Sequence, residues 1–238
     1  MQMSEDQKRE MEQRRRDVAR GKRAEEVASW YFRLNGFLSI PGFVVHPDVV
    51  RRNPMTEADL IAVRFPYSQE LIAGRVMVDD PRLTNLGSDS QVLFRLVEVK
   101  TDLCNINGPW SNERDGNMQR VIRRLGFARP DDVPPIATAM YQDLRWQDAN
   151  HILQYITVGE RVNDGRQRQY PKLVQITWPE IAGLLFERFS RFPEKLSADR
   201  RLIHEQWPAF GRRYGRVFRR MKSVEDSRQY LSQYIRDG

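Results

Sequence analysis

Residues Leu93–Asp102 read LFRLVEVKTD, an apolar run ending in Glu98-Val99-Lys100, two opposite charges one residue apart. On a strand, successive side chains point to opposite faces, so Glu98 and Lys100 share one face while Val97 and Val99 share the other. Two charges on one face of a core-like strand have two readings. Either that face meets solvent, where charges discourage edge pairing, or the pair does chemistry.

The pattern around this stretch alternates helix and strand. In residues 21–35, Ala24, Val27, Ala28, Tyr31 and Leu34 fall at helical spacing, and Asn35-Gly36 supplies a stop. A charged helical lead-in is expected over 1–20. FLSIPGFVV (Phe37–Val45) reads as a strand interrupted near Pro41-Gly42, and EADLIAVRF (Glu57–Phe65) as a second strand. The segment 66–90 is too long for a turn and holds the strand-like LIAGRVMV, which predicts an inserted hairpin or substrate-facing loop. After CNINGPWSN, the positions Met118, Val121, Ile122 and Leu125 mark a helix ending at Gly126. HILQYITV and YPKLVQITW read as strands flanking a turn at Asp164-Gly165. In TWPE, Thr177 caps a helix with Glu180 at the third position and Ile181, Leu184, Leu185 and Phe189 on its apolar face. The expectation is an α/β chain: a core over 21–178 and a mainly helical, basic extension over 179–238.

At 238 residues and 40% hydrophobic content the chain can bury a sizeable core. Its formal charge of +7 favours a polyanionic partner. The single cysteine, Cys104, excludes an intrachain disulfide and a cysteine-rich zinc site. His46, His151 and His204 are scattered without metal-ligand spacing, and no Walker-type glycine loop is present. The charged N-terminus lacks the apolar core of a signal peptide and no run is long enough to span a membrane, so a cytoplasmic location is expected. From Arg200 to Lys222, eight basic residues face Glu205 alone, and Phe210, Tyr214, Val217, Phe218 and Met221 recur at helical spacing. That pattern fits a phosphate-binding stripe carried by Arg212, Arg213, Arg216, Arg219 and Arg220, a helix on an acidic membrane, or a plain solvated face. Arg120, Arg123 and Arg124 form a second candidate phosphate contact. Trp110, Trp146, Trp178 and Trp207 suit a core better than a stacking platform.

The acidic residues fall at telling places. Glu25 lies in the first helix, Glu57 and Asp59 in the second strand, Glu98 at the end of the third. Adjacent strands could bring Asp59 and Glu98 within reach of one ion, with Lys100 beside them to orient or deprotonate a water. Three segments in this order resemble the PD-(D/E)xK nuclease superfamily, most closely its Holliday-junction-resolvase-like branch: GKRAEEVASWYFRLNGF, EADLIAV and LVEVKT. The Pro of the family name is absent, Glu57-Ala58 standing in its place. The resemblance implies a restriction-endonuclease-like αβββαβ core with a mixed central sheet, and magnesium-dependent phosphodiester hydrolysis with manganese as a substitute. It implies Asp59, Glu98, Val99 and Glu25 in the metal set, Lys100 as the catalytic lysine, and supporting places for Glu57 and Gln119. DNA is the expected substrate, with RNA as the other polyanion of the same chemistry, and a homodimer would suit two-strand cutting. Such folds work in bacterial antiviral defence, restriction and repair, of which defence is the preferred setting. The alternative is a nuclease-like binding or assembly module without catalysis.

Overall fold

The computed structural model describes residues 4–46, 56–72, 75–84, 90–190 and 208–237. Arg200, Arg201, His204, Glu205 and Trp207, named or counted above, lie outside the described residues. The chain forms two compact units, one over 31–177 and one made of 1–30 with 178–238.

Helix α1 runs from Glu5 to Leu34. It stops where the sequence says it should: the Asn35 side chain donates to the Tyr31 carbonyl at 2.8 Å, and Gly36 takes a left-handed φ of 77°. The 31–177 unit then lays down β1 (Leu38–Val45) and β2 (Thr56–Arg64), which are antiparallel. Within 66–90, short strands β3 (Leu71–Ile72) and β4 (Arg75–Val76) pair as a two-stranded hairpin, followed by a helical turn α2 (Pro81–Thr84). Strand β5 (Val92–Val99) pairs antiparallel with β2.

A long crossover follows, as a parallel return requires. It contains α3 (Gly108–Ser111), α4 (Asn117–Leu125), α5 (Val133–Asp143) and the edge strand β6 (Arg145–Gln147). Strand β7 (His151–Gly159) then lies parallel to β5, and β8 (Val174–Thr177) parallel to β7. The result is a mixed six-stranded sheet ordered β1-β2-β5-β7, with β6 and β8 on the far side of β7. Apolar residues of α4 (Met118, Val121, Ile122) and α5 (Ile136, Ala137, Met140) share one core cluster with Ile61, Phe94, Leu96 and Leu153 from three central strands. The chain is therefore α/β, as its alternating pattern predicts.

One expected feature is corrected. Residues Asp164–Gln169 form a short helix α6, whose first turn is capped by Asn163 accepting from the Arg166 N–H at 3.1 Å. A turn at Asp164-Gly165 would join antiparallel strands, whereas β7 and β8 are parallel and need a crossover.

In the other unit, α7 (Trp178–Ser190), α8 (Ala209–Phe218) and α9 (Val224–Asp237) gather around aromatic rings. Trp30 meets Phe210 at 5.3 Å and Phe189 at 5.8 Å between centroids. Gly211 is where α8 comes close: a Cβ there would stand 2.8 Å from the Trp30 ring. No described helix is long and apolar enough to cross a membrane.

Candidate active site

Strand β5 is covered on both sides, and nearly every residue of it is buried. Its last polar residue is no exception, for Glu98 is only 1% exposed. The solvated-face reading of Glu98 is thereby removed. A buried carboxylate requires partners, and Glu98 has three. Lys100 Nζ and Asn107 Nδ2 both donate to Oε1, and the Tyr155 hydroxyl donates to Oε2 at 3.1 Å. Lys100 keeps 28% of its side chain exposed, so the pair runs from the buried interior to the surface.

The β2–β5 register pairs Leu60 with Val97, and continuing it one residue sets Asp59 level with Glu98. Asp59 Oδ2 accepts from the Val99 N–H at 2.7 Å, which fixes its carboxylate at the end of β5. Val99 thus touches the site through its main chain. Burial raises the Asp59 pKa against the pull of the Val99 N–H and the Lys100 charge, and the nearby Glu57 raises it further. Glu98 is pushed up to about 7, first by burial and then by the charge of Asp59, against Lys100 and Tyr155. Burial, and then Glu98, hold the Tyr155 phenol well above its ordinary value, so that it stays a donor.

Two half-buried to buried carboxylates side by side, both with raised proton affinity and Glu98 partly because of the Asp59 charge, form a site that would gain from a shared cation. The donor set is all oxygen, which suits magnesium, an ion often held by one or two carboxylates with water and phosphate oxygens completing its shell. Among the described residues no group of three or more His, Cys, Asp or Glu side chains is gathered for a metal.

Glu57 is exposed on β2, two residues before Asp59. Gln119 on α4 accepts from the Tyr141 hydroxyl at 3.4 Å, a tie between α4 and α5. Arg120, Arg123 and Arg124 belong to the same unit as the carboxylates. Glu25 sits on α1 in the other unit. Its neighbour Glu26 is committed there, accepting from the Phe210 N–H and the Tyr234 hydroxyl, each at 2.8 Å. Arg213, Arg216, Arg219 and Arg220 are exposed on or just after α8, and Arg212 is half-buried. Trp110 and Trp178 are core residues, and Cys104 is buried with its thiol toward the Thr157 and Ile176 carbonyls.

Sequence reasoning missed Asn107 and Tyr155. Asn107 precedes α3 where an asparagine would ordinarily cap the helix, yet its side chain makes no cap and reaches Glu98 instead. Tyr155 reads as one more apolar strand residue; only the parallel register, which pairs it with Leu96, brings its hydroxyl to Glu98. No family model matches the chain, and no match is found among curated proteins or solved structures.

Proposed function

We propose that this chain is a metal-dependent phosphodiesterase of the PD-(D/E)xK kind, acting as a DNA endonuclease. The observation that carries the reading is the alignment of Asp59 with Glu98 across β2 and β5, with Lys100 hydrogen-bonded to Glu98 at the surface end. The order helix, three antiparallel strands, helices, parallel strand also suits the restriction-endonuclease-like core of that family.

In this reading Asp59 and Glu98 hold magnesium, which when bound stabilises charge on the scissile phosphate and lowers the pKa of the attacking water. Lys100 has two tasks. Its ammonium favours the ionised form of Glu98 against burial and Asp59, and its exposed end orients the water or neutralises charge growing on the phosphate. Asn107 and Tyr155 hold the Glu98 rotamer, and the Val99 N–H holds that of Asp59.

The test is incubation of supercoiled, linear, branched and single-stranded DNA, and of RNA, with and without magnesium. Asp59→Ala and Lys100→Ala are each expected to lower cleavage by at least about a hundredfold while leaving the far-UV circular dichroism unchanged. Magnesium-dependent cutting that survives both substitutions removes the assignment. The second reading, a nuclease-like binding module without catalysis, draws on the closure of both Glu98 oxygens by protein donors. It predicts nucleic-acid binding with neither cleavage nor a magnesium-induced shift in melting temperature.

A further inference from the structure

We infer that the groove between β1 and α4 takes a single unpaired nucleic-acid strand, with its phosphates on the α4 arginines and its bases on the apolar wall of β1. This deepens the phosphodiesterase reading and rests on it for the kind of polyanion. The groove has a volume of about 750 Å³; Arg120, Arg123 and Arg124 line one side, and Ile40, Phe43 and Val44 the other. Among the described residues Arg123 and Arg124 are exposed and no ion pair engages them. Opposite them Ile40 is 57% exposed and Val44 39%, so the strand presents uncovered apolar surface beside the arginines. Cations facing an apolar wall ask for an occupant that is anionic along one edge and apolar along the other.

A single nucleic-acid strand has that character, because its bases are free to lie on side chains while its backbone follows the positive charge. A duplex does not fit it as well. It presents phosphates but stacks its base faces inside, leaving Ile40, Phe43 and Val44 uncovered. The rival occupant is an acidic polypeptide adding a strand to the edge of the sheet at β1. The middle of β1 is a poor template for that. Pro41 has no N–H to offer, and Gly42 has a left-handed φ of 61°, which turns the edge out of strand geometry.

Gly42 also links the groove to the carboxylates. It lies between the pairs Pro41–Leu60 and Phe43–Ala58, level with Asp59 in the β1–β2 register. A strand in the groove therefore passes one strand width from the proposed metal ligand. A side chain at Gly42 would intrude there, its Cβ 3.0 Å from Glu57 Oε1.

The test is binding of fluorescent oligothymidylate and oligouridylate, their duplexes, an abasic strand of equal length, and oligoglutamate, all in chelator so that nothing is cut. At least one single strand is expected to bind about tenfold or more tightly than both its duplex and the abasic strand, and the tighter of the two identifies the sugar. Arg123→Ala with Arg124→Ala should weaken it about tenfold and flatten its salt dependence, by roughly 0.7 for each phosphate no longer neutralised. Ile40→Ser with Val44→Ser should erase the preference over the abasic strand and leave the abasic affinity unchanged. Equal binding of duplex or abasic strand, oligoglutamate binding as tight, or single-strand affinity indifferent to both double variants overturns the proposal. Because metal is absent, failure of cleavage leaves this result standing, and failure here leaves cleavage by Asp59 and Glu98 to be judged by its own assay.

Discussion

At the scale of single residues, Glu98 shows how burial changes the meaning of a charge. In the sequence it is one half of an ordinary Glu-x-Lys pair. In the fold it is a carboxylate enclosed by Lys100, Asn107 and Tyr155 and facing a second acid, Asp59. Its pKa near 7, against an ordinary 4.5, means that the folded chain holds this proton more tightly than the unfolded chain does. That contribution to stability is complete below about pH 4.5 and is lost as pH rises through 7. In chelator, the wild type should therefore lose on the order of 1–3 kcal/mol relative to Glu98→Gln between pH 5 and pH 8. Urea midpoints of the two proteins across that range check it, and a difference that stays constant or moves in favour of the wild type contradicts the burial argument.

At the scale of elements, glycine placement separates tolerance from packing. A Cβ added at Gly21 in α1 would meet nothing within 4 Å, whereas one at Gly211 in α8 would be pressed against the Trp30 ring at 2.8 Å. Gly21→Ala should stabilise by about 0.5–1 kcal/mol through helix propensity. Gly211→Ala should cost about 1–3 kcal/mol, because a rigid indole rather than a flexible chain end must move. Chemical denaturation of the two variants gives opposite signs if α8 packs as described; a neutral or stabilising Gly211→Ala would mean that it does not. Elements with a long period were legible in advance: the α1 stripe, the Met118-Val121-Ile122-Leu125 face of α4, and the apolar run of β5. Helix α5 was not, since it opens on Val133-Pro134-Pro135, which reads as a break although proline is well suited to a first helical turn. Helix α6 has only six residues, too few for a periodic signal.

At the scale of the whole molecule the excess of +7 is a statement about partners rather than about fold. Four exposed arginines, Arg213, Arg216, Arg219 and Arg220, lie on or just beyond α8, whose other face carries the buried Phe210 and Tyr214. If these cations hold duplex phosphates, replacing all four with alanine should weaken duplex binding about equally for unrelated sequences. The slope of log affinity against log salt should then flatten by up to about 3–4. A salt titration with two unrelated duplexes reads both effects, and an unchanged slope returns this face to plain solvation.

Periodicity and residue type are local properties, and they were enough to set out α1, α4, α7 and the main strands and to single out Asp59, Glu98 and Lys100 as candidates, but not α5 or α6. Which of these residues meet was settled by the tertiary structure. The β2–β5 register sets Asp59 level with Glu98, and the parallel β5–β7 pairing and the loop before α3 bring Tyr155 and Asn107 to the same carboxylate. It also set Glu25 in the other compact unit and tied Gln119 to Tyr141. Register and crossover are relations between distant segments, and shifting a strand by one residue reverses every side chain on it. No local pattern around Val97-Glu98-Val99-Lys100 contains that information, and so the buried character of Glu98 emerges only when its neighbours in space are known.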